Sequence, residues 1–146
     1  MPDHHATTDT NWTHQWSLRV YYEDTDAGGV VFYANYLKFM ERARTEWLRS
    51  LGVSQKELSV NSGLVFIVSS LSIDYKAPAR LDDLLTVRSA MTQVKRASIN
   101  FFQQIVRDDR VLASGQVRVG CVNVHSLRPA LMPNDLYQQI SLTSQR

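Results

Sequence analysis

The spacing of hydrophobic residues changes twice in the first third of the chain. Residues 18–23 alternate in the period-two pattern of a half-buried strand. After a turn that contains Gly28 and Gly29, apolar residues recur every three or four positions, which predicts a helix of about 18 residues and roughly 27 Å. Gly52 follows at the position of a left-handed C-terminal cap. The apolar stripe of this helix consists of Tyr36, Phe39, Met40, Ala43, Trp47 and Leu51.

Strand-like patterns follow the helix in four places. They cover residues 64–75, 84–94, 99–105 and 111–124. Asp108-Asp109-Arg110 predicts a hairpin turn between the last two strands. Ser54 is placed to cap a short helix or turn within residues 53–63, and residues 133–140 are predicted to form a short closing helix. One long helix with these strands predicts an α+β domain in which an antiparallel sheet packs against the helix.

Composition fits one domain and narrows the classes of function. The chain has 146 residues, of which 44% are hydrophobic and 21% charged. It lacks an apolar run of about 20 residues and a signal-like N-terminus, so we expect a cytoplasmic protein without a membrane span. A net charge of +2 does not indicate a nucleic-acid binder. Residues 1–16 lack periodicity and predict a flexible tail, which leaves residues 17–146 for the domain.

Cysteine and histidine offer little for catalysis or metal binding. Cys121 lies in a valine-rich strand pattern and is expected to be a buried, inert thiol. His4, His5 and His14 have no accompanying ligand spacing, so we predict no metal or other cofactor. The chain has no G-x-S-x-G motif, and its only histidine beyond the N-terminal region is His125, which disfavours a Ser-His hydrolase.

Carboxylates are the remaining candidates. Glu23, Asp24 and Asp26 precede the Gly28-Gly29 pair, and a sharp glycine turn can direct a carboxylate into a pocket. The alternative is that these acids only pin the turn, as Asp commonly does. Their spacing does not choose between Asp24 and Asp26.

The same segment carries a family resemblance. The run R-V-Y-Y-E-D-T-D-A-G-G-V-V-F-Y-A-N-Y at residues 19–36 resembles the signature of the 4-hydroxybenzoyl-CoA thioesterase family, and more closely its branch of acyl-CoA thioesterases associated with the Tol-Pal cell-envelope system. The motifs at 41–46, 75–83 and 128–133 also resemble that branch. The resemblance implies a hotdog fold, in which the sheet wraps around the long helix, and a homodimer or homotetramer.

The resemblance also implies roles for two positions. Asp26 matches the catalytic aspartate, two residues before the glycine of the motif. The backbone N–H of Tyr33, at or near the helix start, matches the group that polarises the thioester carbonyl, a role that suits the free N–H groups of a helix N-terminus. The Tol-Pal branch often has His at the position of Tyr33, and the hydroxybenzoyl branch typically has Pro at that of Ala27. This mixture leaves the substrate preference open.

Other charged residues are alternatives. A different hotdog branch carries its carboxylate on the central helix, where this chain has Glu41 and Glu46. Both lie away from the apolar stripe, which favours a solvated or ion-paired role, and Glu46 is spaced to pair with Arg42. Lys95 and Arg96 are less specific candidates for binding CoA phosphates, since a solvated turn would also contain such charges.

Two functions follow from the resemblance. The first is hydrolysis of a short- or medium-chain, or aromatic, acyl-CoA, or of an acyl carrier protein thioester, through Asp26. The second is an accessory binding protein of the cell-envelope or lipid-synthesis machinery with secondary hydrolase activity. A 3-hydroxyacyl dehydratase, which needs a catalytic His, is disfavoured because no mid-chain His exists.

Overall fold

The computed structural model describes residues 12–144 of the chain. Most of the predicted tail, residues 1–11, lies outside the described residues. A 3₁₀ turn at Tyr22–Asp24 lies between the first strand and the first helix. In chain order the elements are β1 (His14–Arg19), α1 (Asn35–Ser50), α2 (Gln55–Ser62), β2 (Leu64–Tyr75), β3 (Leu84–Lys95), β4 (Ser98–Arg107), β5 (Arg110–Asn123) and α3 (Asn134–Ser144).

The strands form one antiparallel sheet with the order β1-β3-β4-β5-β2. Strands β1 and β2 are therefore its edges. Helix α1 packs against the face to which alternate residues of the central strands point, and the sheet curves around it. The predicted α+β architecture, an antiparallel sheet wrapped around one long helix as in the hotdog fold, is confirmed.

The core divides into two clusters along α1. The first surrounds the N-terminal half of the helix and includes Tyr36, Phe39, Met40, Ala43, Leu85, Val87, Ile105 and Ala113. The second surrounds the C-terminal half and includes Trp47, Leu48, Ile99, Phe101, Val119, Leu136 and Ile140. The predicted apolar stripe is confirmed except at its end, where Leu48 is buried and Leu51 is only partly so. Each fully buried aliphatic or aromatic side chain contributes about 1.5–3 kcal/mol.

The local signals at turns and caps are confirmed. Asp108 and Asp109 have φ values of 49° and 67°, as a two-residue hairpin turn between β4 and β5 requires. Ser54 caps α2, since its Oγ accepts a hydrogen bond from the Glu57 N–H at 3.2 Å. Gly52 follows α1 with a φ of 82°.

Four predictions about local structure are wrong. Strand β1 begins at His14, inside the predicted tail, because residues 14–19 pair with β3. It ends at Arg19, and Tyr22 is 80% exposed, because hydrogen bonds to Asp24 turn the chain at this point. Glu46 forms its ion pair with Arg49, not with Arg42 as predicted. Helix α3 also continues to Ser144, four residues beyond the predicted end.

Gly115 lies where α1 comes closest to the sheet. A Cβ atom there would be 3.2 Å from Met40 Cε and 3.3 Å from the Ser72 carbonyl oxygen. We predict that Gly115→Ala lowers the free energy of unfolding by about 1–3 kcal/mol, because a buried helix side chain and a strand backbone must shift. The matched control is Gly120→Ala in the same strand, where the nearest atom would be 3.8 Å away. Urea denaturation measures both, and equal midpoints for the two variants would contradict the prediction.

Candidate active site at the start of the long helix

The segment that connects β1 to α1 is held against the loop between β2 and β3. The Val31 N–H donates to the Ala79 carbonyl at 2.8 Å, and the Leu81 N–H donates to the Gly29 carbonyl at 3.2 Å. An isolated bridge also joins Val30 to Arg80. Backbone hydrogen bonds to the loop between β2 and β3 therefore hold the acidic turn in place.

Asp24 is the structural member of the acidic group. Its side chain is buried, with Oδ2 accepting from the Tyr21 N–H at 2.9 Å and Oδ1 from Asn35 Nδ2 at 3.0 Å. Its carbonyl oxygen accepts from the Phe32 N–H at 3.0 Å. Asp24 thus ties the turn to the first turn of α1, and both carboxylate oxygens are occupied.

Asp26 is exposed, and only one of its two carboxylate oxygens accepts a hydrogen bond from the described residues. Its Oδ1 accepts from the Gly28 N–H at 2.8 Å, an Asx turn, and Gly29 completes the bend with a φ of 79°. Its Oδ2 has no hydrogen-bond donor among residues 12–144. The turn-pinning role therefore uses one oxygen and leaves the other available to a ligand. Spacing in the sequence left Asp24 and Asp26 equivalent, and burial separates them.

Tyr33 lies two residues before α1 and is 63% exposed. Ala34 already has helical dihedrals, φ −69° and ψ −21°, so the first helical peptide comes one residue before Asn35. Within the described chain, neither the Tyr33 N–H nor the Ala34 N–H has an acceptor. Free N–H groups at a helix N-terminus carry partial positive charge and can donate to a developing oxyanion.

The loop that supports the acidic turn is itself anchored at the end of β4. Asp83 Oδ2 accepts from Arg107 Nη1 at 2.7 Å and from the Arg80 N–H at 2.8 Å. Tyr36 Oη accepts from the Ala79 N–H at 2.9 Å, which joins the same loop to α1. No local pattern in the sequence predicts the contacts of Arg107 with Asp83 and of Ala79 with Tyr36, because the residues are 24 and 43 positions apart.

A cavity of about 290 Å³ lies between the C-terminal half of α1 and the β4-β5-β2 part of the sheet. Its walls include Trp47, Leu48, Phe66, Ile99 and Phe101. No local pattern in the sequence predicts this cavity, because its walls come from elements distant in the chain.

Polar groups from α1 and α2 also line this cavity. Glu41 Oε2 accepts from Thr45 Oγ1 at 2.6 Å, and Thr45 Oγ1 accepts from Gln55 Nε2 at 3.0 Å. Arg44 Nη1 donates to the buried Gln103 Oε1 at 3.0 Å. Burial lowers the pKa of Arg44, and the Glu41 carboxylate offsets only part of this effect. The guanidinium nevertheless stays charged. Glu41, expected on a solvated or ion-paired face, is exposed yet lies at the cavity wall.

Lys95 and Arg96 lie far from Asp26 within one chain. Strand β3 begins beside the loop that supports the acidic turn and ends at Lys95, a separation of roughly 36 Å at about 3.3 Å per residue. Arg96 is engaged locally, since Nη2 donates to the Met132 carbonyl at 2.9 Å and its guanidinium lies 5.0 Å from the centre of the Tyr137 ring. One subunit therefore does not bring these cations to the acidic turn.

The remaining candidates take no part in this site. Cys121 is fully buried in the second core cluster, and burial raises the pKa of its thiol, so it is a poor nucleophile. Across residues 12–144, no group of three His, Cys, Asp or Glu side chains is arranged to hold a metal ion. In the same range no helix is long and apolar enough to cross a membrane.

Comparisons with known proteins identify the family of the chain. The chain is 47% identical to the acyl-CoA thioesterase YbgC of Haemophilus influenzae over 82% of this chain and 88% of that protein. Its fold matches the crystal structure of a probable thioesterase from Bartonella henselae with a TM-score of 0.77 and 34% identity, over 82% of this chain and 98% of that one. A gentisyl-coenzyme A thioesterase structure matches with a TM-score of 0.76 and 30% identity, over 84% and 98% of the two chains. The family model that matches residues 20–140 describes the thioesterase-like superfamily, and the chain belongs to that family.

Proposed function

We propose that the protein is an acyl-CoA thioesterase that uses Asp26 and the N–H groups at the start of α1. The observation that carries the proposal is that one segment contains both a carboxylate with one free oxygen and two N–H groups without acceptors in the described chain. Backbone hydrogen bonds hold this segment in place. The relative named acyl-CoA thioesterase, 47% identical over most of the chain, supports acyl-CoA as the substrate class. Acyl carrier proteins present the same kind of thioester and are included as a carrier.

In the proposed reaction the thioester carbonyl oxygen accepts from the Tyr33 N–H. Asp26 Oδ2 attacks the carbonyl carbon, the new C–O bond replaces the C–S bond, and CoA leaves as a thiolate that takes a proton from solvent. Water then cleaves the mixed anhydride and yields the free acid and the Asp26 carboxylate. The helix N-terminus stabilises the oxyanion that forms on the thioester carbonyl in the first step. Nucleophilic attack is preferred to base catalysis because carboxylates are weak bases for water near neutral pH.

The cavity under α1 suits the acyl group. It begins at Glu41, roughly 12 Å along the helix from Tyr33 at about 1.5 Å per residue. Its volume of about 290 Å³ is at the small end of ligand sites, and its distance from Tyr33 means that it suits the far end of a medium-chain acyl group, whereas a short or aromatic acyl group would end before it. Apolar walls favour the acyl chain, while Arg44 and Glu41 provide a donor and an acceptor for a polar substituent.

The functional unit is proposed to be at least a dimer in the cytoplasm, with the edge strand β2 at the subunit contact. Ile67, Val68 and Leu71 are 41–42% exposed along this strand, and its open backbone can pair with a second strand. A second subunit also supplies what one chain lacks, since Lys95 and Arg96 reach a CoA bound at Asp26 only if they come from another copy.

Replacement of Asp26 tests the proposal. We expect Asp26→Asn to lower kcat by about 100-fold or more with little change in stability, because the amide oxygen still accepts from the Gly28 N–H. The matched control is Asp24→Asn, which we expect to reduce stability by about 1–3 kcal/mol because a buried donor then faces an amide NH₂. Release of free thiol from a panel of acyl-CoAs and thermal unfolding measure both variants. Turnover by Asp26→Asn within about tenfold of wild type would refute the assignment.

Isotope transfer separates the two roles of Asp26. In a single turnover in ¹⁸O water with enzyme in excess, the nucleophilic route is expected to place label in the Asp26 carboxylate and not in the first product, if water opens the anhydride at the aspartyl carbonyl. Mass spectrometry of the product and of the peptide that contains Asp26 measures this. Labelled product with unlabelled Asp26 excludes that route and leaves water attack at the acyl carbon.

The subunit contact is tested at the exposed edge. We predict that Leu71→Lys weakens the dimer and lowers activity in parallel, because it places a charge in an apolar contact. Leu142→Lys is the control, since Leu142 is 69% exposed on α3, away from β2. Light scattering at the assay concentration gives the molar mass of each variant. A fully active monomer of the unmodified protein would count against the dimer.

A further inference from the structure

The last residue of β2 reaches the start of α1. Tyr75 Oη donates to the Tyr33 carbonyl at 3.0 Å, across 42 positions of sequence. Its ring packs 5.3 Å from the Tyr36 ring and meets the Tyr33 ring edge-on at 6.2 Å. Three tyrosine rings and one hydrogen bond therefore fix the orientation of the Tyr33 carbonyl.

That carbonyl belongs to the peptide group whose N–H is contributed by Ala34. A hydrogen bond accepted by a peptide oxygen polarises the whole group and strengthens its N–H as a donor. The other acceptor interaction of the Tyr33 carbonyl is long, at 3.4 Å from the Tyr36 N–H, so the Tyr75 hydroxyl is its shorter partner. In the preceding peptide the Phe32 carbonyl accepts from the Asn35 N–H at 2.8 Å, and the free N–H is that of Tyr33. Two consecutive peptides thus have occupied carbonyls and free N–H groups.

The Tyr75 phenol stays protonated near neutral pH. Burial raises its pKa, and the neighbouring Tyr33 and Tyr36 hydroxyls raise it further. A phenol in that state is a donor, which matches its contact with a carbonyl oxygen.

We propose that Tyr75 is a positioning residue for thioester hydrolysis, which holds and polarises the Tyr33–Ala34 peptide so that the Ala34 N–H joins the Tyr33 N–H as an oxyanion donor. This inference rests on the proposed function. Tyr75 does not touch the reacting atoms, and its effect passes through the peptide. A role limited to fold stability would alter unfolding without altering the substrate carbonyl.

The kinetic test is Tyr75→Phe, with Tyr22→Phe as the matched control. Tyr22 is 80% exposed, and its hydroxyl has no hydrogen-bond partner in the described part of the chain. We expect Tyr75→Phe to lower kcat about tenfold with KM within about twofold, less than the loss of a direct oxyanion donor. The control is expected to keep both constants. Light scattering checks that the oligomeric state of each variant is that of the parent.

The spectroscopic test reads the donor groups directly. A ¹³C-labelled acyl-CoA is bound to Asp26→Asn and to Asp26→Asn/Tyr75→Phe, and infrared difference spectra report the carbonyl stretch. Stronger hydrogen bonds lower that frequency, so we expect a downward shift on binding that is smaller in the double variant. An equal shift in the two proteins would overturn the role of Tyr75, whatever its effect on kcat.

The infrared experiment distinguishes failure of the proposed function from failure of the role of Tyr75. The absence of any binding-induced shift in Asp26→Asn would indicate that the carbonyl does not meet these N–H groups, which would refute the proposed function itself. If Tyr75→Phe fails to fold, 3-fluorotyrosine is incorporated at position 75 instead. Its hydroxyl is a stronger hydrogen-bond donor than that of tyrosine while it is protonated. The carbonyl stretch should then shift further down than with tyrosine, and an unchanged shift would overturn the inference.

Discussion

Burial of the apolar stripe of α1 against a single face of the sheet is the constraint on which the rest of the structure depends. The helix approaches so closely that a Cβ at Gly115 would lie 3.2 Å from Met40 Cε. This packing fixes the direction of α1 across the sheet. The direction in turn places the helix start beside the end of β2 and the loop at residues 76–83, where the candidate site forms.

The helix start is a region of nearly complete hydrogen bonding with two exceptions. Asp24 binds the turn to Asn35, and the phenols of Tyr36 and Tyr75 bind this end of α1 to the loop and the edge strand. The Tyr33 and Ala34 N–H groups are left without acceptors in the described chain. Because the surrounding bonds hold these peptides rigidly, the free donors keep their direction without help from a ligand. Such preorganisation is what electrostatic stabilisation of an oxyanion requires.

The proposed subunit contact lies at the edge of the sheet. Strand β2 exposes apolar side chains on both of its faces, Ile67 on one and Leu71 on the other, and its backbone is open to pairing. Tyr75 belongs to the same strand and contacts the helix start. The proposed subunit contact and the proposed oxyanion donors are therefore connected through one strand.

Local patterns in the sequence determined much of this protein. The helix period, the capping by Ser54 and Gly52, and the Asp108-Asp109 turn depend on neighbouring residues and were predicted, and the family motif led to Asp26 and Tyr33. The predicted ends of β1 were wrong. Pairing with β3 decides where the strand begins and the hydrogen bonds of Asp24 decide where it ends, and neither produces a local sequence pattern. The burial of Asp24 and the exposure of Asp26, the cavity at Glu41 and Arg44, and the contact of Tyr75 with Tyr33 were decided only by tertiary structure. Each depends on contacts between residues distant in the chain, or on which carboxylate the packing buries, and a sequence pattern specifies neither.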